Sequence, residues 1–167
     1  MREKNATLSI EEIATGLFDG ERLNHFLEFY DFLNRNKLGK RKTGRKASSF
    51  SWAITYKKQR IGGFSFHGNS WSIVFFNLFP AKEWFARCEE YLTAELKEVI
   101  LANIDTTSNC CVKGICNSVE NPIILGERFN GRVCACGPIK FIDPDDKTLK
   151  YAKELALIGK KIIAEWR

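Results

Sequence analysis

Between Phe50 and Phe79 the chain alternates in the manner of extended backbone. Phe50, Trp52, Ile54 and Tyr56 fall on one side, with Ser51, Ala53 and Thr55 on the other. Side chains change face at every step of a strand, so 50–56 reads as a half-buried strand. Lys57-Lys58-Gln59-Arg60 interrupts the pattern as a polar hairpin loop, and Ile61 to His67 resumes it with Phe64 and Phe66 on one face. The pair Gly62-Gly63 signals a bulge or a close approach of backbone. After the turn at Gly68-Asn69, Ser70 to Phe79 is apolar on both faces, which predicts the most buried strand of a three-stranded meander.

Helical spacing brackets this meander. Ser9 and Glu12 have the form of a capping box and open a short helix over about 10–16. Asp19 is placed to cap a second helix to about Arg35, with Leu23, Phe26, Leu27, Tyr30 and Leu33 as its stripe. His25 lies off that stripe and reads as a surface or capping residue. A long helix is expected over 81–102, with Phe85, Cys88, Leu92, Leu96 and Val99 facing inward. Pro122 to Arg128 reads as a strand, Asn130-Gly131 as a tight turn, and 132–136 and 139–142 as two short strands. Asp143 is the expected cap of the last helix, with Pro144 at its first position. That helix runs to about Glu165 on Leu149, Ala152, Leu155, Ile158 and Ile162.

The fold class that follows is α+β: an antiparallel sheet, made of the central meander plus C-terminal strands, flanked by N-terminal, middle and C-terminal helices. At 167 residues and 44% apolar content the chain builds one core, so residues 1–167 are expected to form a single domain. Its parts are a helical lead-in over 1–35, a basic loop over 36–49, the meander over 50–79, a helix over 81–102, a cysteine-bearing loop with strands over 103–142, and the terminal helix over 143–167. No apolar run reaches the length of a membrane span, and the first residues lack the apolar core of a secretory signal. The expected compartment is the cytoplasm, with no membrane partner and with reduced thiols.

Charge changes the picture in one place. From Phe32 to Lys82 there is no Asp or Glu but there are eleven Lys or Arg, within a net charge of +6. Lys40, Arg41, Lys42, Arg45 and Lys46, joined by Lys57, Lys58 and Arg60 of the hairpin, can contact phosphates, which makes a nucleic-acid partner one reading. A solvated loop is the plainer one. Gly39 and Gly44 have the glycine spacing of a phosphate-binding loop, but Arg45 stands where its Lys belongs and Lys46 where its Ser or Thr belongs. A nucleotide site is rejected on that ground.

Five of the six cysteines fall between 110 and 136. Cys111 and Cys116 have the spacing of a zinc ligand pair, and Cys134 and Cys136, two apart on an expected strand, share a face. Together they make a candidate four-thiolate zinc site, with Cys110 able to replace Cys111. Structural thiols and a redox role for the vicinal Cys110-Cys111 are the alternatives. A third candidate is a small-molecule pocket, or an unrecognised enzymatic one, on an aromatic sheet face carrying Trp52, Phe64, Phe66, His67 and Trp71. No Ser/His/Asp or Cys/His arrangement is legible from spacing, so no catalytic residue is assigned and the balance favours binding over catalysis.

The run Trp52-x-Ile54-x-Tyr56-Lys57, the glycine-aromatic strand and SWSIVFF resemble the core of small bacterial proteins of the YdhG-like and YjbR-like type. The stretch from Cys116 to Asp145, with ILGERF, a cysteine and a strand into FIDPD, resembles a cysteine-bearing subset of them. The resemblance covers about two thirds of the chain. It implies an α+β fold, favours Cys111, Cys116 and Cys134 as metal ligands, and carries a suspected DNA-binding role for the YjbR-like members.

Overall fold

The structure, a computed structural model, describes residues 8–44, 50–75, 87–106, 119–133 and 137–165. A five-stranded antiparallel sheet forms its floor, built from β1 (Gly39–Lys42), β2 (Phe50–Tyr56), β3 (Gln59–His67), β4 (Ser70–Phe75) and β9 (Ile139–Ile142), in the order β1-β2-β3-β4-β9. Two small ladders stand beside it, β5 (Val119–Glu120) with β8 (Arg132–Val133), and β6 (Ile123–Ile124) with β7 (Glu127–Arg128). Among the described residues lie the helices α1 (Ile10–Leu17), α2 (Gly20–Arg35), α3 (Ala94–Ala102) and α4 (Asp146–Glu165). The α+β class, the meander and the flanking helices are as the sequence predicts.

Register decides which face is buried. Trp52 pairs with Phe64, Phe50 with Phe66, Phe66 with Trp71, and Ile73 with Phe141. These side chains share the helix-facing side, where Phe26 of α2 meets Phe66 and Trp71 edge-on at centroid distances of 4.9 and 5.3 Å. Edge-to-face geometry puts a ring's positive rim on its neighbour's negative face and adds to the gain from burial. The opposite face carries small and polar groups, among them Ser51, Ala53, Gly63, Ser65 and Ser72. One dry and one polar face are what an antiparallel sheet permits.

The meander also contains the anticipated bulge. Pairing slips between Ile54 and Thr55, which leaves Ile61 as the extra residue of β3. Ile61 is turned into the core and 1% exposed. Gly159 of α4 seats against it so closely that a Cβ there would lie 2.5 Å from Ile61 Cγ2. The bulge sets the depth at which the terminal helix docks.

Four local expectations are corrected. Residues 36–49 are not all loop: Gly39–Lys42 pair with Thr55–Trp52 as an edge strand. Its four residues carry three cations and show no apolar alternation, so nothing in the pattern marks it. The middle helix is not continuous to Ala102. A short 3-10 turn over Glu89–Tyr91 gives way to extended Leu92, and Thr93 caps a new helix by accepting from Leu96 N at 3.1 Å. The stretch 122–128 is a hairpin, because Leu125 and Gly126 both take positive φ, 51° and 87°, the requirement of a tight two-residue turn. Finally, Asp143 is not the cap of α4. Asp145 does that work, its Oδ1 accepting from Thr148 N at 2.8 Å.

Asp143 has a different task. At φ 41° its backbone N–H donates to Trp71 O at 2.9 Å, and its Oδ1 accepts from Trp71 N at 2.9 Å. It closes the end of the β4–β9 ladder while Arg22 Nε pairs with the same oxygen at 3.2 Å. His25 Nε2 meets Asp146 Oδ1 at 2.9 Å, at the start of α4, so it ties α2 to α4 through a side-chain pair and caps no backbone group there. Among the described residues no helix is long and apolar enough to cross a membrane.

Candidate functional site

The three candidate sites fare differently. Cys110, Cys111, Cys116, Cys134 and Cys136 lie outside the described residues, and among the described residues no group of metal-binding side chains occurs. What is described is the frame around the two cysteine-bearing segments. At one end Asp105 N donates to Pro138 O at 2.8 Å, Lys140 N donates to Asn103 O at 2.9 Å, and Ile104 bridges Ile139. At the other end Val119 pairs with Val133 and Glu120 with Arg132, the latter reinforced by a 3.0 Å ion pair. The described residues that flank positions 107–118 and 134–136 in the chain therefore meet one another at two junctions. The sixth thiol, Cys88, is fully buried, and desolvation pushes its pKa far up, so it stays protonated and inert.

The cations of the basic segment divide between locations. Arg45 and Lys46 lie outside the described residues. Lys40 turns to the helix side, bonded to Asn34 Oδ1 and 4.6 Å above the Tyr30 ring, and burial lowers its pKa. Arg41 alternates to the polar side of the sheet. Lys57 and Lys58 form the β2–β3 turn at positive φ, 46° and 66°. Arg60 Nε donates to Gly62 O at 3.1 Å, and its guanidinium lies close over Gly63. Lys42 is exposed beside Trp52, its cross-strand partner.

The aromatic grouping is corrected by the same alternation that predicts the strands. Trp52, Phe64, Phe66 and Trp71 are 5, 2, 4 and 0% exposed and belong to the core under the helices. His67 is one residue out of phase with Phe66, so it stands on the other face, exposed, with Nε2 2.8 Å from Ser65 Oγ. Among the described residues the sheet lies between the histidine and the four aromatics, so they do not share one face.

A cavity the sequence does not announce opens at the sheet's β1–β2 corner. It has a volume of about 420 Å³ and lies between α1 and the Phe50–Trp52 pair. The two rings stack at 6.5 Å and 15°, and Trp52 stacks in turn on Phe64 at 5.2 Å. Ala14 and Phe18 anchor α1 to the core, which leaves Ile10, Ile13 and Leu17 half-buried along the cavity wall. A smaller cavity of about 250 Å³ lies by Arg22, His25 and Asp143. Comparison with protein-family models, with characterised proteins and with solved structures found no match for this chain.

Proposed function

We propose that the protein is a binding module whose C-terminal third is held by a cysteine-ligated soft metal, zinc by preference, with Cys111, Cys116, Cys134 and Cys136 as ligands and Cys110 able to replace Cys111. The observation that carries this reading is the double closure of the frame. Cys134 and Cys136 are the immediate chain neighbours of Val133 and Gly137, and Cys116 is three residues from Val119, the cross-strand partner of Val133. The two chain segments that bring the thiolates are thus tied together at both ends by hydrogen bonds outside the segments themselves. A frame of this kind lowers the entropy lost when four ligands converge on one ion. The reward is large where the local structure is slight: β5 and β8 have two residues each, too short to be stable on their own. Zinc takes tetrahedral thiolate and in small modules supplies folding free energy directly.

Elemental analysis of the chain purified without added metal tests the proposal. One zinc per chain is expected, falling to well below half on Cys111→Ser combined with Cys134→Ser. Metal-free protein whose unfolding midpoint is indifferent to added zinc and to chelator would sink it.

A further inference from the structure

We propose that the cavity between α1 and β2 is a binding site for a small amphipathic anion, an apolar body carrying one carboxylate or an equivalent charge. This inference is independent of the metal. The volume, about 420 Å³, falls within the ~300–1,000 Å³ typical of ligand clefts. Its floor is the stacked pair Phe50 and Trp52, and its wall is the stripe Ile10, Ile13 and Leu17, at helical spacing on one face of α1. Both surfaces are apolar and both are rigidly held, the ring pair by the sheet and the helix by the burial of Ala14 and Phe18.

Charge selects the occupant. Two ionisable side chains line the cavity, Glu12 and Lys42. The Glu12 carboxylate is already engaged, because Oε2 accepts from Ser9 N at 2.6 Å in the capping box and sits at the positive end of α1. The Lys42 ammonium has no ion pair or side-chain hydrogen bond with another described residue, unlike its neighbour Lys40. Its place beside Trp52 puts an uncommitted cation at the rim of an apolar hollow. An anionic head with a hydrophobic tail satisfies both parts at once, whereas a cation meets like charge and a fully polar anion leaves the floor unused.

Gly16 supplies a control. It lines the cavity, and a Cβ added there meets nothing within 4 Å, so a larger side chain enters empty space without disturbing the helix. Replacing a helical glycine by leucine also favours the helix.

The test is titration of the full chain with decanoate below its micellar concentration, followed by calorimetry and tryptophan fluorescence, with decanol and decyltrimethylammonium as neutral and cationic counterparts. Saturable one-to-one binding of decanoate is expected, with decanol about two- to fivefold weaker, the scale of an exposed ion pair, and the cation weaker still. Lys42→Met is expected to bring decanoate down to the affinity of decanol and to leave decanol unchanged. Gly16→Leu is expected to abolish both while the unfolding midpoint does not fall. Any of four results would overturn the proposal: no saturable binding, equal affinity for anion and cation, binding unaffected by Gly16→Leu, or a concentration-dependent dimer that Gly16→Leu dissolves. The last would assign the cavity to a second copy of the chain.

Discussion

Three aspartates in four positions, Asp143, Asp145 and Asp146, do three different things, and their chemistry differs accordingly. Asp143 supplies an acceptor to the backbone of β4, Asp146 meets His25, and Asp145 caps α4. The Asp145 carboxylate is held below its ordinary 3.8 chiefly by the Thr148 hydroxyl, 2.6 Å away, and next by the Thr148 backbone N–H. A depressed folded-state pKa means that the cap contributes fully above 3.8 and loses its contribution as pH falls through the lower folded value. Asp145→Ala should therefore cost about 1 kcal/mol at neutral pH. The gap between variant and parent should close as the medium is acidified below the ordinary carboxylate range. Urea unfolding at several pH values reads both quantities. A gap that persists unchanged in acid would mean that Asp145 acts by packing and not through its charge. The sequence marks this DPDD run as a helix start but cannot say which aspartate is the cap. That depends on Asp143 taking φ 41° to reach Trp71, a partner 72 positions away.

Among the elements, the bulge in β3 and the docking of α4 are one structure. Ile61 is displaced into the core by the slip in pairing, and α4 accommodates it because position 159 has no side chain. In a free helix Gly→Ala gains about 1 kcal/mol, whereas forcing an extra methyl into a packed core costs about 1–3 kcal/mol. At 2.5 Å from Ile61 Cγ2 the second effect should win. Gly159→Ala is expected to lower stability by about 1–2 kcal/mol in denaturant titration, against the direction of helix propensity. A gain would show that α4 can ride up off the sheet. The alternation of β2 and β3 is legible in the sequence because Phe50, Trp52, Phe64 and Phe66 are each followed by a small or polar residue, whereas β4 is marked by its continuous apolar run. Strand β1 is not legible, since an edge strand need bury nothing. The break at Thr93 is hidden because the apolar spacing runs through it, and the 125–126 turn is hidden because Leu125 is not a residue that advertises positive φ. The cavity is invisible for a further reason: its wall and floor come from α1 and β2, some 40 positions apart.

Over the molecule as a whole, the buried thiol of Cys88 serves as a gauge. Fully enclosed and held protonated by desolvation, it can meet an alkylating reagent only when the core opens. Its labelling rate should track the population of the globally open state. Gly159→Ala, if it costs about 1.4 kcal/mol, should then raise that rate about tenfold. Labelling of Cys88 at an unchanged rate would mean that the segment around it opens locally, apart from the sheet.

The cationic edge strand has one more consequence. Along its outer edge β1 pairs with no other described strand, and amide and carbonyl groups there are a template on which a second copy could lay its own strand and begin a fibre. Pairing two such edges would force Lys40, Arg41 and Lys42 against their own images, a repulsion that grows with every copy added. The charge of this strand thus opposes the stitching of one molecule's edge to the next.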